Sequence, residues 1–435
     1  MSCARYLRHV LSGDKKQMHD MTMVILVNSI TKSMDATINR KIKLYLVFII
    51  LLLGGVMHVQ GQSKYDSLDI SIKAFMTEEK IPGFAACIVK GGTLAWSKSY
   101  GQADIQNNVP MSLDGIMNIG SISKTFTATA TMQLWEKGLI DLNADLNKYL
   151  DFEIRNPSYP HKPITIFQIL THTSSIIDGK AYHDSYSCGD PTVSLNEWIY
   201  ENLTQRGKYY YDGSNFGDWP PGDKDRYSNV AFGLLGLIVE KVAKQPFNEY
   251  CEENIFKPLG MKDTGWFLSE IDTKKHIKPY AYVTQENRND LLEDKRLYPQ
   301  ETEFKPGSFV ENCLYSFPNY PDGLVRTSVR ELSFYLTAMI NGGELNGARI
   351  LDKKTVHKML SLQIKGNDSQ GLCWRASELE STSSRITLWG HTGGDPGIAT
   401  YLFFHPVDKI GVITFQNNST GGTFEIVEKL YLTTR

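Results

Sequence analysis

From Gly83 to Val89 and again from Thr93 to Tyr100 the chain carries short runs rich in apolar and β-favouring residues. They are joined at Lys90, Gly91 and Gly92, which predicts a β-hairpin. A second pair of such runs, Ala399 to His405 and Ile410 to Gln416, turns around Pro406, Val407, Asp408 and Lys409. Helical periodicity brackets these hairpins, at Ile70 to Lys80 before the first and at Phe424 to Leu430 after the second. Between them the pattern is mostly helical: Thr125 to Lys137, Ile166 to Leu170, Leu195 to Asn202, Val230 to Lys244 and Val329 to Ile340. Strands at both ends of a chain around a helical insertion predict an α+β fold. Its antiparallel sheet is built by the N- and C-terminal segments, flanked by helices, with a mostly helical domain inserted. The sheet part is expected at about residues 62–120 and 320–435 and the helical part at about 121–319, with the site in the cleft between them.

One segment does not fit a globular pattern. Leu44 to Val59 has no charged residue and follows Arg40, Lys41 and Lys43. It is shorter than the roughly 20 residues that span a bilayer comfortably, so residues 1–61 are expected to hold an export signal cleaved after Gly61. The polar stretch from Met1 to Thr37 leaves two other readings, a start at Met34 or a retained anchor. Removing residues 1–61 takes away eight Lys/Arg and three Asp/Glu, leaving 38 basic against 45 acidic residues. That balance gives no basic surface for nucleic acid, and a membrane enters only through the N-terminal segment if it is uncleaved. Of six cysteines, Cys3 precedes the apolar run. Cys87, Cys188, Cys251, Cys313 and Cys373 are odd in number and scattered, which predicts buried single thiols. His161, His183 and His405 lack metal-ligand spacing, so no metal and no other cofactor is expected.

Candidate chemistry begins at Gly120-Ser121-Ile122-Ser123-Lys124-Thr125, ahead of a run read as amphipathic with Phe126, Met132, Leu134 and Trp135. Residues three apart on a helix are neighbours, so Lys124 can reach the Ser121 hydroxyl. A serine is a poor nucleophile until a base takes its proton, and a partly desolvated lysine can be that base. A helix start also offers N–H groups to a developing oxyanion. Alone, Ser-x-x-Lys is more often a cap followed by a solvated lysine. Two further segments change that weighting. Tyr227-Ser228-Asn229 follows Pro220, Pro221 and Gly222 and precedes a helix. There a phenol can exchange a proton with the leaving group, and an amide can bind a substrate carbonyl or orient Lys124. Trp389-Gly390-His391-Thr392-Gly393-Gly394 precedes the C-terminal hairpin, and on an edge strand the Gly394 N–H is a second oxyanion donor.

In this order, Ser121 to Lys124, Tyr227 to Asn229 and His391 to Gly393 resemble the Ser-x-x-Lys, Tyr-x-Asn and Lys/His-Thr-Gly motifs of the serine β-lactamase-related family. Leu170 to Ser174 and Tyr320 to Gly343 support the match, and the similarity runs from about Tyr65 to Leu432. The resemblance implies a β-lactamase/transpeptidase-like fold with Ser121 as acylated nucleophile and Lys124 and Tyr227 as the proton-transfer pair. It further implies an oxyanion hole from the Ser121 and Gly394 N–H groups, with Asn229, His391, Thr392 and Gly393 contacting substrate. The expected activity is hydrolysis of an ester or amide in a small molecule or peptide, of esterase or D-amino-acid peptidase type, in the periplasm or outside the cell. The alternatives are a β-lactamase or D-alanyl-D-alanine carboxypeptidase, and, in another class, a penicillin-binding sensor without turnover.

The chain departs from that pattern in two places. Position 391 is His where most β-lactamases have Lys, which weakens the expectation of a fixed cation for a substrate carboxylate. Ser175 stands where the family usually has Gly. His172 reads as a structural, hydrogen-bonded histidine. Tyr209, Tyr210 and Tyr211 with Trp219 could equally line an acyl pocket near Tyr227 or pack a core or lid.

Overall fold

The computed structural model describes residues 65–299, 301–379 and 385–435, and the expected export segment lies outside them. Its compact unit runs from Ile70 to Arg435. Seven strands form the main sheet: β1 (Gly83–Lys90), β2 (Thr93–Asp104), β3 (Val109–Pro110), β4 (Arg375–Glu378), β5 (Thr387–Asp395), β6 (Ile398–His405) and β7 (Ile410–Gln416). Their order is β4-β5-β6-β7-β1-β2-β3, and the pairings are antiparallel. Both expected hairpins form, and they meet where β1 pairs with β7, Ala85 opposite Phe415. The two ends of the chain therefore close one sheet. That junction is its middle: β1 is buried from Gly83 to Val89 and β7 along its whole length.

Helices cover the sheet. The helix Val329–Ile340 is capped by Ser328, whose Oγ accepts from the Glu331 N–H at 3.1 Å. It packs close because β7 has Gly411, where a Cβ would stand 2.8 Å from Leu336. The closing helix Thr423–Thr434 buries Ile426, Val427, Leu430 and Tyr431. The first helix runs over residues 65–78, where the spacing predicted Ile70 to Lys80. Among the described residues, no helix is long and apolar enough to cross a membrane.

Two expectations are corrected. The run after Ser121 is helix α1, Ser123–Glu136, and it is buried on every side from Ser123 to Leu134 rather than amphipathic. Its threonines do not need water. Thr129 and Thr131 donate to the carbonyls four residues back at 2.9 Å each, and Thr127 donates to Pro321 O at 2.6 Å. A helix passing through the core can thus carry a polar alternation that reads in sequence as an exposed face. The second correction concerns the thiols: Cys188 and Cys313 form a disulfide across 125 residues, while Cys87, Cys251 and Cys373 are the expected buried free thiols. The short strands Ser187–Cys188 and Tyr315–Ser316 pair antiparallel and bring the two cysteines together, a long-range pairing that spacing does not reveal.

Candidate active site

Ser121 lies in a one-turn 3₁₀ helix, Gly120–Ile122, that leads directly into α1. This turn is seated on β5. Gly120 has φ +52°, and a Cβ there would stand 2.9 Å from the Gly394 nitrogen; a Cβ on Gly393 would fall 1.9 Å from Ile119 O. Glycine at both positions is what lets turn and strand touch. β4 pairs with β5 only from Thr387 to Gly390, so β5 is a free edge from His391 to Asp395, the edge position expected for it.

Lys124 is fully buried and reaches back toward Ser121. Its Nζ donates to Ser121 Oγ at 2.9 Å, to Asn229 Oδ1 at 2.7 Å and to Asp322 O at 2.8 Å, with Asp322 Oδ2 at 3.4 Å. Three ammonium protons thus meet three close acceptors. Burial works against this charge, but Tyr227, Asp322 and Asp178 outweigh it and hold the ammonium above its usual range. Tyr227 stands beside Lys124 and Ser121, with the ammonium 4.9 Å from its ring centre. Burial pushes its phenol up and outweighs the opposing pull of the Lys124 ammonium. The resting pair is therefore ammonium and phenol.

Helix α2, Asn229–Ala243, sets the second motif. Ser228 Oγ accepts from the Ala231 N–H at 3.1 Å, and Asp178 accepts from the N–H groups of Asn229 and Val230 at 2.8 and 2.9 Å. The same carboxylate accepts from Asn229 Nδ2 at 2.8 Å, which aims the amide oxygen at Lys124. Of the two roles expected for Asn229, the geometry supports orienting Lys124. His172 has the structural place expected of it: Nδ1 accepts from the Ser228 N–H at 3.3 Å, and the ring stacks on Tyr227 at 4.3 Å. Ser175 has φ +62°, the left-handed conformation that favours glycine, and its hydroxyl accepts from Asn156 Nδ2 at 2.9 Å.

A cavity of about 380 Å³ collects Ser121, Tyr227, His391, Thr392 and Gly394 from the expected set. It also holds Arg375, Ser377 and Phe403, which the sequence did not single out. The Nδ1 of His391 lies 2.6 Å from Thr392 O, so that nitrogen carries the proton. Burial, then Lys124, pushes the ring down to about 3, and it is neutral at physiological pH. The cation lining the cavity is Arg375, on β4, whose side chain is 35% exposed and lies 3.7 Å from Asp225. Tyr209, Tyr210, Tyr211 and Trp219 do not line it. Tyr209 packs on Trp198, Tyr210 on Phe216, Tyr211 is exposed and Trp219 lies under Lys224. Among the described residues, no group of three or more His, Cys, Asp or Glu could hold a metal.

With this arrangement in view, the sequence matches the beta-lactamase family over residues 68–432. The chain belongs to that family. It is 26% identical over 341 residues to the D-alanyl-D-alanine-carboxypeptidase/endopeptidase AmpH of Escherichia coli (strain K12), covering 78% of this chain and 80% of that relative. Its fold is shared by the octameric penicillin-binding protein homologue from Pyrococcus abyssi, with TM-score 0.65 and 24% identity over 84% of this chain and 76% of that one. It is also shared by the D-amino acid amidase from Ochrobactrum anthropi SV3, with TM-score 0.61 and 20% identity over 85% and 98% of the two chains. The expected β-lactamase/transpeptidase-like architecture is thus the observed one.

Proposed function

We propose that the protein is an exported serine hydrolase that forms an acyl-enzyme at Ser121 from an ester or amide and releases it to water. One observation carries this reading: Lys124 Nζ bridges Ser121 Oγ and Asn229 Oδ1, at 2.9 and 2.7 Å, behind a cavity that Ser121 and Tyr227 line together. Ser121 Oγ attacks the carbonyl as the Lys124–Tyr227 pair takes its proton and passes it to the leaving group. The pair titrates as a unit, and its reactive form carries one proton fewer than the resting ammonium and phenol. The oxyanion forms between the N–H groups of Ser121 and Gly394, at the free edge of β5. The disulfide between Cys188 and Cys313 supports export, because such bonds persist in oxidising compartments.

Arg375 favours a narrower reading within this class, an amide substrate with a free carboxylate beyond the scissile bond. His391 is neutral there, and a guanidinium on the adjoining strand supplies the charge that a lysine at 391 would have given. That reading fits the carboxypeptidase named among the relatives. The test is Ser121→Ala, assayed with nitrophenyl acetate, nitrocefin and D-amino-acid peptides. Hydrolysis is expected to vanish in a folded variant, and retained turnover would falsify the nucleophile. Turnover of nitrocefin alone by the parent enzyme would make it a β-lactamase.

A further inference from the structure

Lys124 poses a problem for its own chemistry. It is fully buried, it is cationic, and its protons are held by three acceptors, whereas a base must first be free of one of them. Behind it runs a set of side chains that the catalytic roles above leave unused. Asp322 Oδ2 lies 3.4 Å from Lys124 Nζ and accepts from Tyr182 Oη at 2.9 Å. Tyr182 Oη is 3.4 Å from Tyr186 Oη, and Tyr186 donates to Asp395 Oδ1 at 2.8 Å. Tyr182 and Asp322 are buried; Tyr186 and Asp395 are half-buried, and Asp395 ends β5 one residue past Gly394 at the cavity wall.

We propose that Asp322, Tyr182, Tyr186 and Asp395 form a proton relay through which the blocking proton leaves Lys124 for the half-buried end of β5. This inference rests on the serine-hydrolase reading. The transfer balances as follows. Lys124 gives a proton to Asp322 Oδ2 and becomes a neutral amine. The Tyr182 hydroxyl turns from Asp322 to Tyr186. Asp322 then donates to Tyr182 Oη while Tyr182 donates its own proton to Tyr186 Oη, and Tyr186 donates its own to Asp395 Oδ1. One proton leaves Lys124, one arrives at Asp395, and both phenols end neutral. The amine is then free to accept the Ser121 proton.

The surroundings of the two carboxyls suit this task. Asp322 faces Lys124, Asn319 and Tyr182, with Asp178 adding repulsion. Asp395 faces Tyr186, with Asp322 nearby and Lys124 and Arg326 as the cations within reach; Asn118 donates to it at 3.4 Å, and Tyr315 adds its phenol on that side. Arg326 is committed to the carbonyls of Trp266 and Tyr315 and to Ser316 Oγ, so it does not neutralise Asp395 by contact. Burial pushes Asp322 up to about 6 and Asp395 up to about 7, so near neutrality Asp322 is mostly ionised and free to accept a proton, while Asp395 can hold one.

These four are positioning residues, since none touches the reacting atoms, and their signature is a pH profile. The experiment measures the acylation burst with nitrophenyl acetate from pH 6 to 10 in the wild type, Tyr186→Phe and Asp395→Asn. In either variant we expect the burst rate at pH 7 to fall about tenfold, within the range of proton-transfer effects, with KM unchanged and the loss recovered at alkaline pH. A wild-type profile in both variants, or a loss of equal size at every pH, overturns the relay. If Tyr186→Phe unfolds, Asp395→Asn alone decides. A wild-type burst that survives Ser121→Ala overturns the serine reading and the relay together, whereas unaltered variants beside a silent Ser121→Ala overturn the relay alone.

Discussion

Arg375→Gln is the substitution that most directly tests what this enzyme acts on. Arg375 stands opposite Gly390 in the β4–β5 register, one position before His391, and lines the cavity that holds Ser121. The other basic side chains near Ser121 offer no free charge: His391 is neutral, and Lys124 is buried with its protons already donated. A hydrogen bond to a charged group contributes about 1.5–3 kcal/mol. The Arg375 side chain is 35% exposed and has Asp225 3.7 Å away, so water and that carboxylate both compete with substrate. The expected contribution therefore falls just below that range, at about 1.4 kcal/mol or tenfold. The assay compares kcat/KM for an acylated D-alanyl-D-alanine peptide with that for the same peptide amidated at its C-terminus. Arg375→Gln should lose about tenfold on the free acid, chiefly in KM, and little on the amide. Equal losses on both peptides, or none on the acid, would refute the carboxylate assignment.

Two further outcomes follow from the fold. Replacing Cys188 and Cys313 together by Ala opens a closure of 125 residues and should destabilise the protein by about 2–4 kcal/mol, read from urea midpoints; an unchanged midpoint would mean the bridge does not constrain the unfolded chain. Asp395→Asn should become progressively stabilising as pH rises. The folded carboxyl titrates at about 7, above its ordinary 3.8, so its favourable contribution is complete below 3.8 and lost as pH climbs through 7. The variant's gain over wild type in urea unfolding should grow by up to about 4 kcal/mol between pH 4 and pH 8, and a gain independent of pH would contradict it.

Local signals made the strands and most helices legible. The hairpin around Gly91 and Gly92 and the helix Val329–Ile340 follow from turn chemistry and apolar spacing that lie within a few residues of one another. Three motif segments likewise named Ser121, Lys124, Tyr227 and His391. The misses are long-range. Arg375 reaches the cavity only because β4 pairs with β5, and nothing near it in sequence marks that short strand. Asp178 lies 51 residues from the Asn229 amide that it holds, and Tyr182 lies 140 residues from Asp322. The polar face of α1 was misread for the same reason: whether a threonine meets water or a carbonyl depends on what is packed against it.

The neutral state of His391 has a consequence for Lys124 as well as for substrate. A lysine at 391 would set a second cation near Lys124, and like charges favour loss of a proton from one of them. A neutral imidazole gives no such repulsion, while Asp322 and Asp178 add attraction that keeps the ammonium charged. The site therefore separates two tasks that one cation at position 391 could combine. On the proposed reading, Arg375, at the partly exposed rim, selects the substrate's charge. In the proposed relay the release of Lys124 comes from the acidic side of the pocket, where Asp322, at about 6, is mostly ionised at pH 7 and Asp395, at about 7, can hold the proton. On that reasoning, mutations at the rim should alter which substrate is taken, and mutations along the tyrosine pair should alter the pH at which any substrate is turned over.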